Sequence, residues 1–171
     1  METFDVIQAR RNVRAFSPEP LAADALEQIL EAGRRAPSAN NRQPWDFVVS
    51  TDRQQLEQLA TVWQGAGHVA GSAATITLVL NEPADERQRL LDQFDLGQAT
   101  MALELAAADL GIGSGHAAIA DQERCREILG VPDGHYCAYL LALGYPADRP
   151  LRAIATPKRR PFAEVVHWGH F

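Results

Sequence analysis

The spacing of apolar residues divides the chain into helices and strands. Intervals of three and four residues, as at Leu26, Ile29 and Leu30, predict an amphipathic helix that buries one face. Short runs of β-branched and other apolar residues, as in ATITLVL at 74–80, predict buried strands. By these criteria the first part of the chain contains a helix over 3–10, a helix over 21–35, a strand over 46–50, a helix over 53–63 and a strand over 74–80.

The helix predicted over 92–110 (DQFDLGQATMALELAAADL) is apolar around most of its circumference. One face steps by three and four residues through Leu96, Ala99, Leu103, Ala106 and Leu110. The other sides are apolar too, with Ala102, Leu105, Ala107 and Ala108. A helix of this kind is buried, and its alanines permit another helix to approach closely. We expect it to be central in the domain or to lie in a subunit interface, and we favour the interface.

One further helix and one further strand precede an irregular tail. Asp121 is a good N-cap for a helix over 122–129, which Gly130 closes. The run YCAYLLALG at 136–144 predicts a third buried strand. The tail over 146–171 contains four prolines but keeps several large apolar residues. It must therefore lie on an apolar surface, either of its own domain or of a partner.

Three alternate glycines, Gly111, Gly113 and Gly115, suggest a dinucleotide-binding turn, but the pattern fails. The fingerprint requires glycine where this chain has His116, and it must follow a strand, whereas here it follows a helix. We interpret Gly111 as a helix C-cap, and we expect the other two to let the backbone approach a flat ligand closely.

Composition limits the class of protein. A chain of 171 residues is long enough for one hydrophobic core, so we expect a single domain over 1–171. Its 16 basic and 22 acidic residues give a net charge of −6, which disfavours nucleic acid and anionic membranes as partners. The start, METFDVIQARR, lacks an apolar signal segment, and the two cysteines fit a reducing compartment. We therefore expect a cytoplasmic protein.

One loop and two short basic windows carry more polar chemistry than connectors need. APSANNRQPWDFVVS at 36–50 places five hydrogen-bonding residues between a helix and a strand. Six of the sixteen basic residues fall in two short windows, with Arg10, Arg11 and Arg14 near the start and Lys158, Arg159 and Arg160 near the end. These windows are either two solvated surface patches or two parts of one anion site, where arginine forks would suit a phosphate.

The sequence contains no pattern typical of a protein nucleophile or of a metal site. It has no GxSxG elbow, and neither cysteine is directly next to a histidine in the sequence. His167 and His170 are three apart but have no accompanying carboxylate or cysteine pattern, so we expect no metal. If the protein is an enzyme, a cofactor therefore carries the chemistry.

Several segments together resemble one family. ARRNVRAF at 9–16, APSANNRQPWDFVVS at 36–50, LGIGSGH at 110–116, LALGYPADRP at 141–150 and PKRRPFAEVVHW at 157–168 follow the order of the nitroreductase family of FMN-dependent oxidoreductases. The resemblance covers the whole chain. It implies an α+β fold, a three-layer α/β/α sandwich with a mixed, mainly antiparallel sheet. It also implies a homodimer with exchanged C-terminal tails and FMN sites at the interface.

The resemblance also implies which residues contact FMN. The matching positions are Arg10, Arg11, Asn12, Arg14, Pro37, Ser38, Ala39, Asn41, Ser114, Gly115, His116, Lys158 and Arg160. Asn12 stands where the family usually has serine. Trp45 is interpreted as a core residue because its neighbours form a strand. The role of His116 stays open among contact with a substrate, contact with the flavin and simple filling of space.

The implied reaction is ping-pong. Hydride passes from NADH or NADPH to the flavin and then to a small planar acceptor such as a nitroaromatic or a quinone. Only residues 81–91 separate the second strand from the long helix, so we expect an open site without a helical lid. The alternative is a flavin-binding protein without robust turnover, such as a flavin buffer, a flavin-remodelling enzyme or a regulatory protein.

Overall fold

The computed structural model describes residues 2–171 and contains five α-helices and four β-strands. In chain order these are α1 (Thr3–Ala9), α2 (Ala23–Arg34), β1 (Trp45–Ser50), α3 (Arg53–Leu59), β2 (Ala74–Asn81), α4 (Glu86–Asp109), β3 (Gly113–Ala117), α5 (Gln122–Leu129) and β4 (His135–Gly144). Short 3₁₀ turns occur at Ala39–Asn41, Gly67–Gly71 and Phe162–Glu164.

The strands form one sheet in the order β1-β2-β4-β3, and every neighbouring pair is antiparallel. One parallel pairing is found among residues 2–171, an isolated bridge between Asn12 and Ser114 beside β3. The expectation of a mainly antiparallel sheet is therefore confirmed. The mixed character is limited to that bridge.

Alternation of side chains along β2 and β4 gives the sheet two buried faces. Ile76, Leu78 and Leu141 face a core that α2 and α4 complete. Val79 and Leu140 face a second core, which α3 and α5 complete. The chain thus has helices on both faces of the sheet, which is the three-layer arrangement expected from the sequence. Trp45 is 8% exposed in the first core, so its interpretation as a core residue is confirmed.

Most predicted elements are found, with differences at their ends. The long helix begins at Glu86 rather than 92, because Asp85 caps it by accepting a hydrogen bond from the Gln88 amide at 2.7 Å. Residues 86–89 (ERQR) are all polar, and Leu90 and Leu91 are adjacent and exposed, so no apolar periodicity indicated this start. Helix α3 ends at Leu59 rather than 63, since the chain then turns to bury Val62 and Ala66 in the second core.

Strand β3 was not predicted, because the glycines in GSGHA have low β-propensity. The chain around Val13 lies so close to it that a Cβ on Gly115 would be 2.2 Å from the Val13 carbonyl oxygen. A Cβ on Gly113 would be 2.6 Å from the Val13 side chain. The side on which a Cβ would stand is therefore occupied by this chain's own residue 13, and the approach of a ligand to these glycines stays a prediction. Gly111 ends α4 with φ +75°, as expected.

The C-terminal tail leaves large apolar side chains in solvent. Phe162 is 70% exposed, Trp168 82% and Phe171 104%. Helix α4 also leaves Phe94 69% exposed, although the sequence predicted burial around most of this helix.

Both cysteines are buried free thiols. None of the helices found in residues 2–171 is long and apolar enough to span a membrane.

Candidate functional site

The loop between α2 and β1 has a fixed and unusual backbone. Asn40, Asn41 and Gln43 all have left-handed φ angles, between 50° and 55°. Asparagine tolerates this region better than most residues. The Ser38 hydroxyl oxygen accepts a hydrogen bond from the Gln43 amide at 2.9 Å, and the Ser38 carbonyl accepts one from the Asn41 amide at 2.9 Å. The loop therefore folds around Ser38, whose hydroxyl hydrogen stays available to donate.

Two buried aspartates of α4 hold this loop against the domain. Asp95 accepts a hydrogen bond from the Ala39 amide at 3.0 Å. Asp92 accepts one from the Arg42 guanidinium at 2.9 Å, and Arg42 also lies 3.9 Å from Asp95. The two carboxylate side chains are only 6% and 3% exposed, so these donors replace water. This arrangement explains why the loop carries Arg42, which belongs to no predicted contact with a ligand.

The three N-terminal arginines have different surroundings. Arg10 lies 3.3 Å from Glu104 of α4. Arg11 is 2.6 Å from Asp148 and also donates to the Arg149 carbonyl at 2.7 Å. The Arg11 guanidinium lowers the pKa of Asp148 through this hydrogen bond. Within the described chain Arg14 has no ion pair and no side-chain hydrogen bond, and it is exposed. Arg14 is thus the one arginine of this group with its charge unpaired.

Residues 114–116 lie on β3 beside the same helix. Ser114 is 2% exposed, and its hydroxyl donates to Glu104 at 3.2 Å. Its carbonyl accepts the Val13 amide at 2.8 Å, which fixes the 10–14 segment along the edge of the sheet. The His116 ring places Nδ1 3.5 Å from the same Glu104 carboxylate. Asn12 pairs with Ser114 in the parallel bridge. The predicted residues Arg10, Asn12, Ser114 and His116 are therefore brought together.

A cavity of about 450 Å³ opens next to this cluster, between α4 and the sheet. Its lining combines apolar side chains with a few polar groups, namely Leu78, Gln93, Leu96, Gly97, Thr100, Met101, Glu104, His116 and Tyr139. His68 lies behind β3, with Nε2 3.4 Å from the Gly115 carbonyl oxygen. Burial lowers the pKa of His68, so the neutral ring is favoured there. A small planar molecule would fit a cavity of this size and mixed polarity.

The C-terminal basic run lies on the exposed tail. Arg160 is held locally, donating to the Glu164 carbonyl at 2.7 Å, and Arg159 donates to the Lys158 carbonyl at 3.2 Å. The Lys158 side chain has no ion pair or hydrogen bond to any residue from 2 to 171. No ion pair or side-chain hydrogen bond joins this run to Arg10, Arg11 or Arg14 within that range. The convergence of the two basic windows stays a prediction.

The loop at 37–41 and the cluster at 114–116 contact α4 at two distant points. Asp95 and Glu104 are nine positions apart, which corresponds to about 14 Å along the axis and half a turn around it. Within one chain the two groups of predicted residues therefore lie on different sides of α4.

Three acidic residues that organise this region were not identified as important from the sequence. Asp92, Asp95 and Glu104 are 4%, 2% and 1% exposed, yet each lies in the helix predicted to be buried. An acidic residue in a helix predicted to be buried was the feature of the sequence that could have identified them. A carboxylate in such a helix must have hydrogen-bond donors nearby.

The sequence profile of the nitroreductase family matches residues 7–66 and 62–145. A protein of Archaeoglobus fulgidus, provisionally named an NADH dehydrogenase/NAD(P)H nitroreductase, is 31% identical over 151 residues. That alignment covers 86% of this chain and 87% of the relative.

Two solved structures share the fold. The NADPH:FMN oxidoreductase from Vibrio harveyi complexed with NAD⁺ superposes with a TM-score of 0.87 at 22% identity, covering 99% of this chain and 77% of that one. The FMN-dependent nitroreductase from Clostridium difficile R20291 gives a TM-score of 0.85 at 22% identity, covering 98% and 99%.

Replacing Arg42 with Met tests the attachment of the 38–43 loop. The substitution keeps the aliphatic stem but removes the cation from two buried carboxylates, so we expect a loss of about 1–3 kcal/mol in the free energy of unfolding. Amide hydrogen exchange at residues 39–43 should accelerate by at least about tenfold. The matched control is Arg34→Met, whose exposed partner is Glu31, and it should cost less than about 1 kcal/mol. Equal effects of the two substitutions would contradict this attachment.

Proposed function

This chain belongs to the nitroreductase family, and we propose that it is an FMN-dependent oxidoreductase. In this proposal it takes hydride from NADH or NADPH by a ping-pong mechanism and passes it to small planar acceptors such as nitroaromatics or quinones. The observation that carries the proposal is the cluster of Arg10, Asn12, Ser114 and His116 beside a cavity of about 450 Å³. Fold relatives whose names include FMN support the choice of cofactor.

The basic residues fit a phosphate. Arg14 and Lys158 carry positive charges that no other described side chain neutralises. The Nε of Arg11 is buried without a hydrogen-bond partner among the described residues, although its other guanidinium nitrogens are engaged. A phosphate accepts several charge-assisted hydrogen bonds at once and would satisfy such donors. We assign Arg14 and Lys158 to the phosphate, with Arg10, Arg11 and Arg160 as the supporting cations around it.

The ring of the flavin needs polar partners at its edge and apolar contact on its face. Pro37, Ser38, Ala39 and Asn41 supply one group of contacts, and residues 114–116 supply the other. Because these groups lie about 14 Å apart along α4 in one chain, we propose that a two-fold related chain brings its loop to the other group. FMN would supply the hydride chemistry, while the protein binds and orients the ring and limits access of water.

A second copy of the chain is the partner that the exposed apolar surface fits. Phe94 and Met101 are 69% and 44% exposed on the solvent side of α4, and Trp168 is 82% exposed on the tail. Surfaces of this kind are buried in homodimers, whose interfaces resemble a domain core. We propose a homodimer in which α4 forms the centre and the C-terminal tails pack on the opposite chain.

The phosphate assignment is tested by titrating apoprotein with FMN. Arg14→Ala and Lys158→Ala each remove one charge-assisted contact, so we expect the binding free energy to weaken by about 1–3 kcal/mol in each variant. The control is Arg34→Ala, an exposed arginine of α2 whose partner is Glu31, and it should bind FMN as the wild type does. Unchanged affinity in both site variants would contradict the assignment.

The dimer is tested by Phe94→Lys, which places a charge on the exposed side of α4 without disturbing the core. Sedimentation velocity should show a dimer for the wild type and a substantial monomer fraction for the variant, because a charge at the centre of an apolar interface must be desolvated. FMN retention should fall in parallel. Glu57→Lys, on the exposed side of α3, is the control and should stay dimeric. A monomeric wild type that still binds FMN would contradict the proposal.

A further inference from the structure

Glu104 is a carboxylate in the interior of the domain with three partners from other segments. It is 1% exposed. Its Oε2 lies 3.3 Å from the Arg10 guanidinium. Its Oε1 accepts the Ser114 hydroxyl at 3.2 Å and lies 3.5 Å from Nδ1 of His116. A buried carboxylate with this many donors fixes the groups around it, because separating them would leave the charge unpaired.

The His116 ring is held by one edge and open at the other. Nδ1 and Nε2 are separated by one ring carbon and point outward in diverging directions. A ring whose Nδ1 faces Glu104 therefore directs Nε2 away from that carboxylate. Both side chains line the cavity of about 450 Å³, and the His116 side chain remains 37% exposed. A carboxylate 3.5 Å from Nδ1 favours the ring tautomer with its proton on Nδ1 and stabilises the imidazolium when it forms.

The other charged and titratable groups near His116 come from three segments. Arg10, after α1, neutralises part of the Glu104 charge. His68, in the 3₁₀ turn at Gly67–Gly71, is close enough to His116 for mutual repulsion, and its pKa is lowered chiefly by burial. The positive charge of Arg14 also lowers the pKa of His68. Tyr139 of β4 lines the same cavity. Within residues 2–171, Glu104 is the one acidic residue that forms an ion pair with the His116 ring.

We propose that Glu104 is a positioning residue for His116, and that His116 delivers the proton which a planar acceptor takes up on reduction. This inference rests on the proposed function and adds a named proton donor to it. When a quinone is the acceptor, hydride that a bound reduced flavin would supply brings two electrons and one proton. The second proton leaves Nε2 of the His116 imidazolium and forms an O–H bond on the anionic oxygen. The ring is left neutral, with its Nδ1 proton on the Glu104 side, and solvent returns the proton to Nε2.

The first test observes the ring without measuring turnover. Nitrogen-15 NMR of the flavin-loaded protein should show the neutral His116 ring in a single tautomer, with the proton on Nδ1. Glu104→Gln keeps the size of the side chain but removes its charge, and it should give a mixture of tautomers. Identical His116 ring signals in the wild type and in Glu104→Gln would overturn the positioning role.

The second test separates the two half-reactions. Protein reduced anaerobically with NADH or NADPH is mixed rapidly with 1,4-naphthoquinone over a range of pH. In the wild type the rate of flavin reoxidation should fall as pH rises, because fewer molecules then carry the protonated donor. His116→Phe and His116→Gln should lower this rate by about tenfold or more and abolish the pH dependence. Glu104→Gln should give an intermediate rate.

The control is His135→Phe, at the start of β4 and outside the lining of the cavity. It should keep the wild-type profile. If the His116 variants reoxidise at the wild-type rate with the same pH dependence, the inference is wrong while the proposed function stands. If NADH and NADPH fail to reduce the wild-type flavin at all, the proposed function and the inference both fail. If His116→Phe loses FMN, His116→Gln, which keeps a polar side chain at this position, is used for the same measurement.

Discussion

Burial of three carboxylates on one helix is the constraint on which the rest of the site depends. Asp92, Asp95 and Glu104 of α4 are each 4% exposed or less. A charged group removed from water must find donors in the protein, or its burial costs several kcal/mol. The donors are Arg42 and the Gln88 side chain for Asp92, the Ala39 amide for Asp95, and Arg10 and Ser114 for Glu104. Folding of α4 into the core therefore carries two loops and one strand into position.

This constraint explains why groups distant in the sequence are ordered together. The loop around Ser38 has three left-handed residues that are not glycine, and such a backbone persists only where its surroundings hold it. Asp95 and Asp92 provide that hold from α4. At the other point on the helix, Glu104 holds the 10–14 segment and the His116 ring. The same helix thus supplies both halves of the proposed flavin site, and its exposed apolar side would join two copies of them.

The sequence predicted the helices and strands that form the layers of the fold well. It predicted strand β3 and the start of α4 less well. Apolar periodicity located α2, β2 and β4, because burial on one or both faces leaves a regular pattern. It missed β3, whose glycines are needed for the close approach of Val13, a tertiary contact that no local pattern records. It also began α4 too late, because residues 86–89 are polar and Leu90 and Leu91 are exposed, which leaves no periodic apolar face there. Helix caps such as Asp121 and Gly130 could be identified from the sequence, because capping depends only on residues within the first and last turns.

The candidate site was only partly predictable for a related reason. Motifs singled out Arg10, Ser38 and His116 as polar positions, but they did not show that Arg10 pairs with Glu104 or that Ser38 hydrogen-bonds within its own loop. Pairing depends on which segments meet across α4. Glu104 was overlooked because a single acidic residue among leucines and alanines leaves the helical pattern almost unchanged, and only its place in a helix predicted to be buried indicated that it needs donors.

The most direct test of the central claim is an absorbance spectrum of the purified protein, followed by anaerobic addition of NADH and then NADPH. We expect flavin absorption at about 450 nm that one of the two nucleotides bleaches, since the bound cofactor would accept hydride. A flavin spectrum that neither nucleotide changes would contradict the oxidoreductase proposal and favour a flavin-binding protein without turnover. A colourless protein that fails to take up added FMN would contradict the flavin site itself.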